Sequence, residues 1–218
     1  MSDARLERIL DAAYACFARH GVRRTTMDDI AVAAEMSRAA VYQHVQNKDD
    51  AFRRLTSRIF DGALAQAQAA AASDAPLAER LHGVLAVKLE LVLELMADSP
   101  HAEELLGTGS RLTADLYDNY DRDMRELAAA VIADARDRGE VKLLDIEPVE
   151  VAELGIALTK GLEGDLADPE TTRRRLRQGI GLFAAGLTAA SPRRPRLERG
   201  PSWREEGSML EDLDNLHP

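Results

Sequence analysis

The sequence predicts an all-α protein with a small helical domain at the N-terminus and a larger helical domain after it. Hydrophobic residues make up 45% of the 218 residues and aromatic residues only 4%, a composition that favours helices packed on helices over a sheet. Apolar residues also recur at helical spacing along the chain. This length is enough to bury a sizeable core, divided between one small and one larger domain.

The first predicted helix covers residues 3–20 and has one apolar side, formed by Leu6, Ile9, Leu10, Ala13 and Phe17. Gly21 follows it and is suited to the left-handed conformation that ends many helices. Cys16 is the single cysteine, so the chain has no internal disulfide framework. We expect Cys16 to be a small buried apolar residue.

Residues 24–50, RTTMDDIAVAAEMSRAAVYQHVQNKDD, predict two short helices joined by a tight turn. Thr26 and Asp29 have the spacing of a capping box, which predicts that the first helix begins there. Ser37 is the predicted cap of the second helix. Because only Glu35-Met36 lies between the two helices, they must meet at a sharp angle. This arrangement is a helix-turn-helix.

The first turn of the second helix has the features of a helix that enters the major groove of DNA. Its small residues would let the backbone approach the bases, and Arg38 can donate to both O6 and N7 of a guanine. The predicted DNA-binding residues are Thr25, Thr26, Ser37, Arg38, Ala39, Ala40, Tyr42, His44 and Lys48. The alternative is a surface helical hairpin without DNA, and the clustering of these polar residues favours DNA binding.

Lys48 begins the next predicted helix, which Asn47 caps with Asp50 three residues on. At this helix start its ammonium group is placed to contact the DNA backbone. The apolar pattern then continues to residue 72, so we expect one long helix that connects the two domains.

The stretch RILDAAYACFARHGVRRTTMDDIAVAAEMSRAAVYQHVQNKDDAF resembles the DNA-binding domain of TetR-type transcriptional regulators. The resemblance rests on a first helix ending in F-x-x-x-G, on the patterns T-[TM]-x-x-I-A and [VM]-S-x-x-x-[VL]-Y-x-[HY], and on a K-x-x-[LAF] helix start. Two residues depart from the pattern. Glu35 stands where Gly is usual and would weaken affinity for phosphates, and Val45 stands where Phe is usual and makes the small core less bulky.

The resemblance implies a three-helix helix-turn-helix domain followed by a larger ligand-binding and dimerisation domain. We expect the DNA-binding domain at residues 1–47, a connecting helix at 48–75, an effector-binding and dimerisation domain at 76–190, and a linker with an acidic tail at 191–218. The implied function is a ligand-responsive repressor that binds a near-palindromic operator as a homodimer. The alternative is an all-α ligand-binding or dimeric interaction protein whose helix-turn-helix has no function.

The middle of the chain predicts helices over residues 77–98, a short one that starts at Ser99-Pro100 and ends at Leu106, and one over 112–138. In the family this region holds the effector pocket, and the candidates are Leu89, Leu93, Met96, His101, Leu105, Tyr117, Tyr120 and Met124. Each could instead be ordinary core. Glu90 and Glu94 share one helix face, as an ion-paired or solvated strip or as a carboxylate pair for a cationic ligand.

Two further helices, which begin at Pro148 and Pro169, carry apolar stripes that predict an interface between two copies of the chain. The predicted interface residues are Leu154, Leu158, Leu162, Leu176, Ile180, Phe183 and Leu187. The alternative is a pair of helices that pack only within one chain. The following residues, 191–218, are rich in Pro, Arg and Gly, and Ser208 with Glu211 predicts a short terminal helix or a solvated tail.

The formal net charge is −10, but the acidic excess lies outside the helix-turn-helix. Residues 1–60 hold 10 Lys and Arg against 8 Asp and Glu, whereas the rest holds 18 against 30. No nucleophile–base pair, phosphate loop or metal-ligand spacing stands out, so we predict no enzyme activity, metal or cofactor. The sequence has no signal-peptide profile or bilayer-length apolar run, so we expect a cytoplasmic protein without a membrane partner.

Overall fold

The computed structural model describes residues 4–106, 111–143, 145–162, 166 and 168–188, which belong to one compact unit ending at Thr188. These residues form nine helices and no strand. The helices are α1 (Ala4–His20), α2 (Met27–Ala33), α3 (Arg38–Tyr42), α4 (Lys48–Ala71), α5 (Leu77–Asp98), α6 (Ala102–Leu106), α7 (Ala114–Asp137), α8 (Pro148–Leu162) and α9 (Pro169–Thr188). The predicted all-α fold is confirmed. Residues 107–110 and the predicted tail at 191–218 lie outside the described residues.

The starts of α2, α3 and α4 are each fixed by a side-chain cap. Thr26 Oγ1 accepts from the Asp29 N–H at 3.2 Å, and Asp29 Oδ2 accepts from the Thr26 N–H at 2.8 Å. Ser37 and Asn47 each accept from the backbone N–H three residues on, at 3.2 and 2.8 Å. The hydrogen bonds from Thr26 lower the pKa of the Asp29 carboxyl. All three predicted caps are confirmed.

The N-terminal helices share a small core that α4 closes. The Phe17 and Phe52 rings meet edge to face with their centroids 5.7 Å apart. Val45, where the resemblance expected a bulkier Phe, is 1% exposed in this core. The larger domain also contributes to it through Leu95 of α5 and residues 102 and 105 of α6. The N-terminal core therefore extends beyond residue 47 and is built partly by helices that follow α4.

The larger core is formed by α4, α5, α7, α8 and α9. Helices α4 and α5 pack so closely that a Cβ on Gly83 would lie 2.5 Å from the Ala70 Cβ. Arg80 is 6% exposed and donates to the Ala71 carbonyl at 2.9 Å and to Asp134 Oδ2 at 2.7 Å. This arginine ties the end of α4 to both α5 and α7.

The turn between α2 and α3 contains Glu35, the residue that stands in place of the usual Gly. Its φ is +54°, in the left-handed region, and no other non-glycine residue among those described has a positive φ. The Met36 N–H donates to the Ala31 carbonyl at 3.0 Å and closes the turn. A side chain in this conformation costs about 1–2 kcal/mol, which glycine avoids. The departure from Gly therefore carries a conformational cost.

We predict that Glu35→Gly stabilises the protein by about 0.5–1 kcal/mol, because relief of backbone strain outweighs the greater freedom of glycine in the unfolded chain. Urea denaturation followed by circular dichroism measures the change. The control is Ala33→Gly at an exposed position of α2, which should destabilise by a similar amount. Equal destabilisation by both changes would contradict the prediction.

Candidate functional site

The first turn of α3 points away from the small core, which makes it the candidate contact surface for DNA. Ser37, Arg38 and Ala39 are exposed and Ala40 is half-buried, whereas Val41 is 0% exposed. The short side chains leave the helix backbone accessible, as insertion into a major groove requires. This turn is held in place by the buried side of the same helix.

Arg38 is held along the surface by its neighbours. Its Nη1 lies 3.0 Å from Asp28 Oδ1, and its guanidinium carbon lies 5.5 Å from the centre of the Tyr42 ring. The Tyr42 hydroxyl and then Asp28 raise the pKa of Arg38 above its ordinary value. Because both side chains of the ion pair are more than half exposed, the pair is weak. Arg38 can therefore leave Asp28 and form hydrogen bonds to the edge of a base.

Lys48 already has a partner within the protein. Its Nζ donates to the Arg23 carbonyl at 3.0 Å, which fixes the ammonium group beside the turn before α2. An ammonium has three donors, so this bond leaves two for a phosphate. Tyr42 is 41% exposed on the same region of the surface, and His44 is half-buried.

The two threonines of the predicted DNA-binding set have different surroundings. Thr26 is exposed at the α2 cap, but Thr25 is only 2% exposed and its hydroxyl lies 2.9 Å from the Gly21 carbonyl and 3.2 Å from the Cys16 carbonyl. The Thr25 side chain therefore fastens α1 to the helix-turn-helix, and we remove it from the set of side chains able to reach DNA. The position of Thr25 directly before the cap residue did not indicate whether its side chain would face solvent or the core.

Sequence reasoning missed several surface residues near α3. Gln43 is exposed one turn after Ala39, and Arg23 and Arg24 are exposed just before α2. The adjacent arginines were the available signal, since a basic pair beside a helix-turn-helix commonly contacts phosphates. Asp28 was also missed, because its ion pair with Arg38 depends on the angle between α2 and α3.

A cavity of about 580 Å³ opens beside α5, α6 and α7, within the range of small-molecule sites. Three of the predicted effector residues line it: Met96, His101 and Tyr117. The other five are buried, with Leu105 in the N-terminal core and four in the larger core: Leu89, Leu93, Tyr120 and Met124. Their side chains fill the protein interior, so only three of the eight candidates remain.

The start of α6 lies between the cavity and the N-terminal domain. Ser99 was predicted to cap a helix at Pro100, and its Oγ accepts from the His101 N–H two residues on at 2.9 Å, as a capping hydroxyl does, although α6 itself begins at Ala102. The same hydroxyl donates to the Ala18 carbonyl of α1 at 2.7 Å. This cavity wall is therefore bonded directly to α1.

Glu90 and Glu94 do not form a joint site. Arg173 of α9 donates to Glu90, with Nε 2.8 Å from Oε2, while Glu94 is exposed. The ion-paired interpretation of Glu90 is therefore the one the structure supports.

The predicted interface residues of α8 and α9 divide into two groups. Leu176 and Ile180 are 1% and 0% exposed in a single chain, because this side of α9 packs against the chain's own core. Leu154 is 55% exposed and Leu182, which the prediction missed, is 77% exposed. The remaining predicted residues are half-buried: Leu158, Leu162, Phe183 and Leu187. Leu176 and Ile180 are therefore core residues, and the outward leucines remain as candidates.

Within the described ranges, no three His, Cys, Asp or Glu side chains are grouped so that they could hold a metal ion. None of the described helices is long and apolar enough to cross a membrane.

Comparison with known proteins identifies the N-terminal segment. Residues 9–55 match the family of bacterial regulatory proteins called the tetR family. This segment is a TetR-family domain. It is also similar to the probable acrEF/envCD operon repressor of Escherichia coli strain K12, with 43% identity over 49 residues, 22% of each chain. The chain thus matches about a fifth of that relative's length.

Longer relatives extend the TetR-type resemblance to the rest of the chain. YhgD of Bacillus subtilis strain 168, an HTH-type transcriptional regulator, is 24% identical over 147 residues, covering 67% of this chain and 77% of YhgD. The SmeT–triclosan complex has a TM-score of 0.68 at 24% identity, covering 87% of this chain and 94% of that one. A TetR regulator of Haloarcula marismortui has a TM-score of 0.69 at 20% identity, with 85% and 98% covered. The TetR-type fold is confirmed.

We predict that Asp28→Asn tightens binding to duplex DNA about two- to fivefold, because it releases Arg38 and removes a negative charge near phosphates. Fluorescence anisotropy with a labelled duplex at fixed salt measures the change. The control is Glu126→Gln in the middle of α7, which removes the same charge elsewhere. Unchanged or weaker binding by Asp28→Asn would show that the ion pair does not compete with DNA.

Proposed function

We propose that this protein is a transcriptional repressor that binds a near-palindromic operator as a homodimer and releases it in response to a small molecule. The observation that carries the proposal is the exposed first turn of α3, where Arg38 stands among short side chains. The TetR-family match of residues 9–55 supports the DNA-binding part. We propose residues 1–47 as the DNA-binding domain, 48–75 as the connecting helix and 76–190 as the effector and dimer domain.

Each proposed contact has a different role. Arg38 is the base reader, because only its side chain in this turn can donate two parallel hydrogen bonds to guanine. Ser37, Thr26, Tyr42, His44 and Lys48 would position the helix through phosphates, and Ala39 and Ala40 would allow the close approach. We propose that the protein works in the cytoplasm, where it would meet operator DNA.

The effector part is supported by the cavity beside α6 and by relatives that are repressors. SmeT is the repressor of the Stenotrophomonas maltophilia multidrug efflux pump SmeDEF, and it also has a structure with triclosan. We propose that an organic small molecule occupies the corresponding region here and shifts the two DNA-binding domains. A coupling free energy of about 1–3 kcal/mol would change operator occupancy severalfold or more. We propose no catalytic role.

We predict different losses for two substitutions in the DNA-binding domain. Arg38→Ala should cost about 1–3 kcal/mol on the operator and little on random duplex, because one base contact is lost. Lys48→Ala should weaken both duplexes alike and reduce the salt slope by about one, because one phosphate contact is lost. Anisotropy titrations at several salt concentrations, with DNA from upstream of the protein's own gene, measure both.

Equal losses on both duplexes for Arg38→Ala would rule out its base-reading role. Thermal unfolding of both variants is the control, since Lys48 also bonds the Arg23 carbonyl. If the wild-type protein self-associates but binds no duplex, the alternative of a dimeric interaction or ligand-binding protein with a non-functional helix-turn-helix is correct.

We also predict that Leu154→Arg combined with Leu182→Arg converts the dimer to a monomer, because two buried charges would be unpaired at the interface. Light scattering after size exclusion should give half the wild-type mass. Val32→Arg is the control, because Val32 is 79% exposed on α2, outside the proposed interface. A dimer that survives the double change would place the interface elsewhere.

A further inference from the structure

The cavity beside α6 has apolar walls and an acidic edge. Val92 and Met96 of α5 are apolar residues that line it, and Glu103 and Glu104 of α6 are acidic residues that line it. None of the described residues that line the cavity is Lys or Arg. His101, directly before α6, also lines this wall.

Lys88 lies near this wall, beside the lining residue Tyr117, and is ion-paired within the protein. Lys88 lies 5.3 Å from the centre of the Tyr117 ring, and its Nζ is 3.5 Å from Asp121 Oδ1. Asp121 also accepts from Lys160 at 3.0 Å, which lowers the pKa of its carboxyl despite burial. Lys88 itself is not among the residues that line the cavity.

Glu104 contacts the N-terminal domain as well as the cavity. Both of its carboxylate oxygens, and Nδ1 of His101, lie 3.3 Å from where a Cβ on Gly21 would stand. Its Oε2 accepts from the Arg23 N–H at 3.3 Å. Gly21 has a φ of +81°, so glycine is favoured there both by conformation and by the space that Glu104 and His101 occupy.

We propose that this cavity binds an apolar organic cation whose charge is received by the Glu104 carboxylate. The inference rests on the proposed function, in which the cavity is the effector site. An anionic ligand would meet two carboxylates there without a described Lys or Arg to neutralise it, whereas a cation gains an ionic partner at the edge of an apolar space. Among the described residues, Glu104 accepts one long hydrogen bond, from the Arg23 N–H, and a carboxylate has further acceptor capacity that a ligand could use.

Binding of the cation also affects contacts between α6 and the DNA-binding domain. A carboxylate drawn toward the ligand moves away from the Arg23 N–H. The Arg23 carbonyl in turn holds the ammonium of Lys48, a proposed phosphate contact. The ligand therefore loosens the turn at residues 21–25 from its packing on α6.

The first test compares two rigid probes of the same shape and opposite charge, tetraphenylphosphonium and tetraphenylborate, by isothermal titration calorimetry on the full chain without DNA. We expect tetraphenylphosphonium to bind and tetraphenylborate to bind at least tenfold more weakly. Equal binding of the two, tighter binding of the borate, or no binding of the phosphonium would overturn the inference. This comparison uses only the wild-type chain, so it does not depend on how a variant folds.

The second test locates the charge. Glu104→Gln keeps an oxygen acceptor for Arg23 but removes the charge, so tetraphenylphosphonium should bind at least fivefold more weakly. Glu126→Gln on α7 should leave binding unchanged. Hydrogen exchange at the Arg23 amide should rise on addition of tetraphenylphosphonium in the wild type and not in Glu104→Gln. Unchanged binding by Glu104→Gln, or unchanged exchange in the wild type, would contradict the role of Glu104.

Failure of this inference and failure of the proposed function give different results. Duplex binding in the absence of any probe tests the DNA-binding proposal alone. A chain that binds duplex but prefers tetraphenylborate keeps the proposed function and loses the cationic ligand.

Discussion

The packing of α4 into two cores is the constraint on which the arrangement of the molecule depends. Its first turns place Ala51, Phe52 and Leu55 in the N-terminal core, and its later turns place Phe60 and Ala67 in the larger core. A continuous helix without proline moves as a rod, because its backbone hydrogen bonds are intact along its length. The direction in which α3 faces is therefore fixed by how the larger domain holds α4.

An ion pair near the start of α4 also holds this helix to the larger domain. Arg53 donates to the Leu112 carbonyl at 2.7 Å and is paired with Asp115 of α7. The hydrogen bond from Arg53 lowers the pKa of the Asp115 carboxyl to about 2. Because this pKa lies below that of the unfolded chain, the pair stabilises the fold above about pH 4 and is lost as pH falls toward 2. The ion pair between Arg53 of α4 and Asp115 of α7 is thus fully formed at neutral pH.

The features that the sequence predicted well are those decided by residues close together in the chain. The caps at Thr26, Ser37 and Asn47 depend on a side chain and an N–H three residues on, so their spacing alone identifies them. The side that a helix buries depends instead on distant neighbours. Leu182 lies two residues after Ile180 and faces the opposite way along α9, so a single apolar stripe could not show that Ile180 enters the core and Leu182 faces solvent. For the same reason, the sequence could not show that Thr25 and five of the eight effector candidates are buried.

Helix α6 structurally connects the cavity and the N-terminal domain. Ala102 and Leu105 fill the N-terminal core, while Glu103 and Leu106 line the cavity. A five-residue helix has too few hydrogen bonds to hold its shape alone, so its position is set by what packs on its two sides. Ala102 belongs to both the N-terminal core and the cavity lining, so α6 is a wall that the two share. In the proposed response, a ligand that displaces α6 would disturb that core or carry α1 with it, and either change would alter the support of α3.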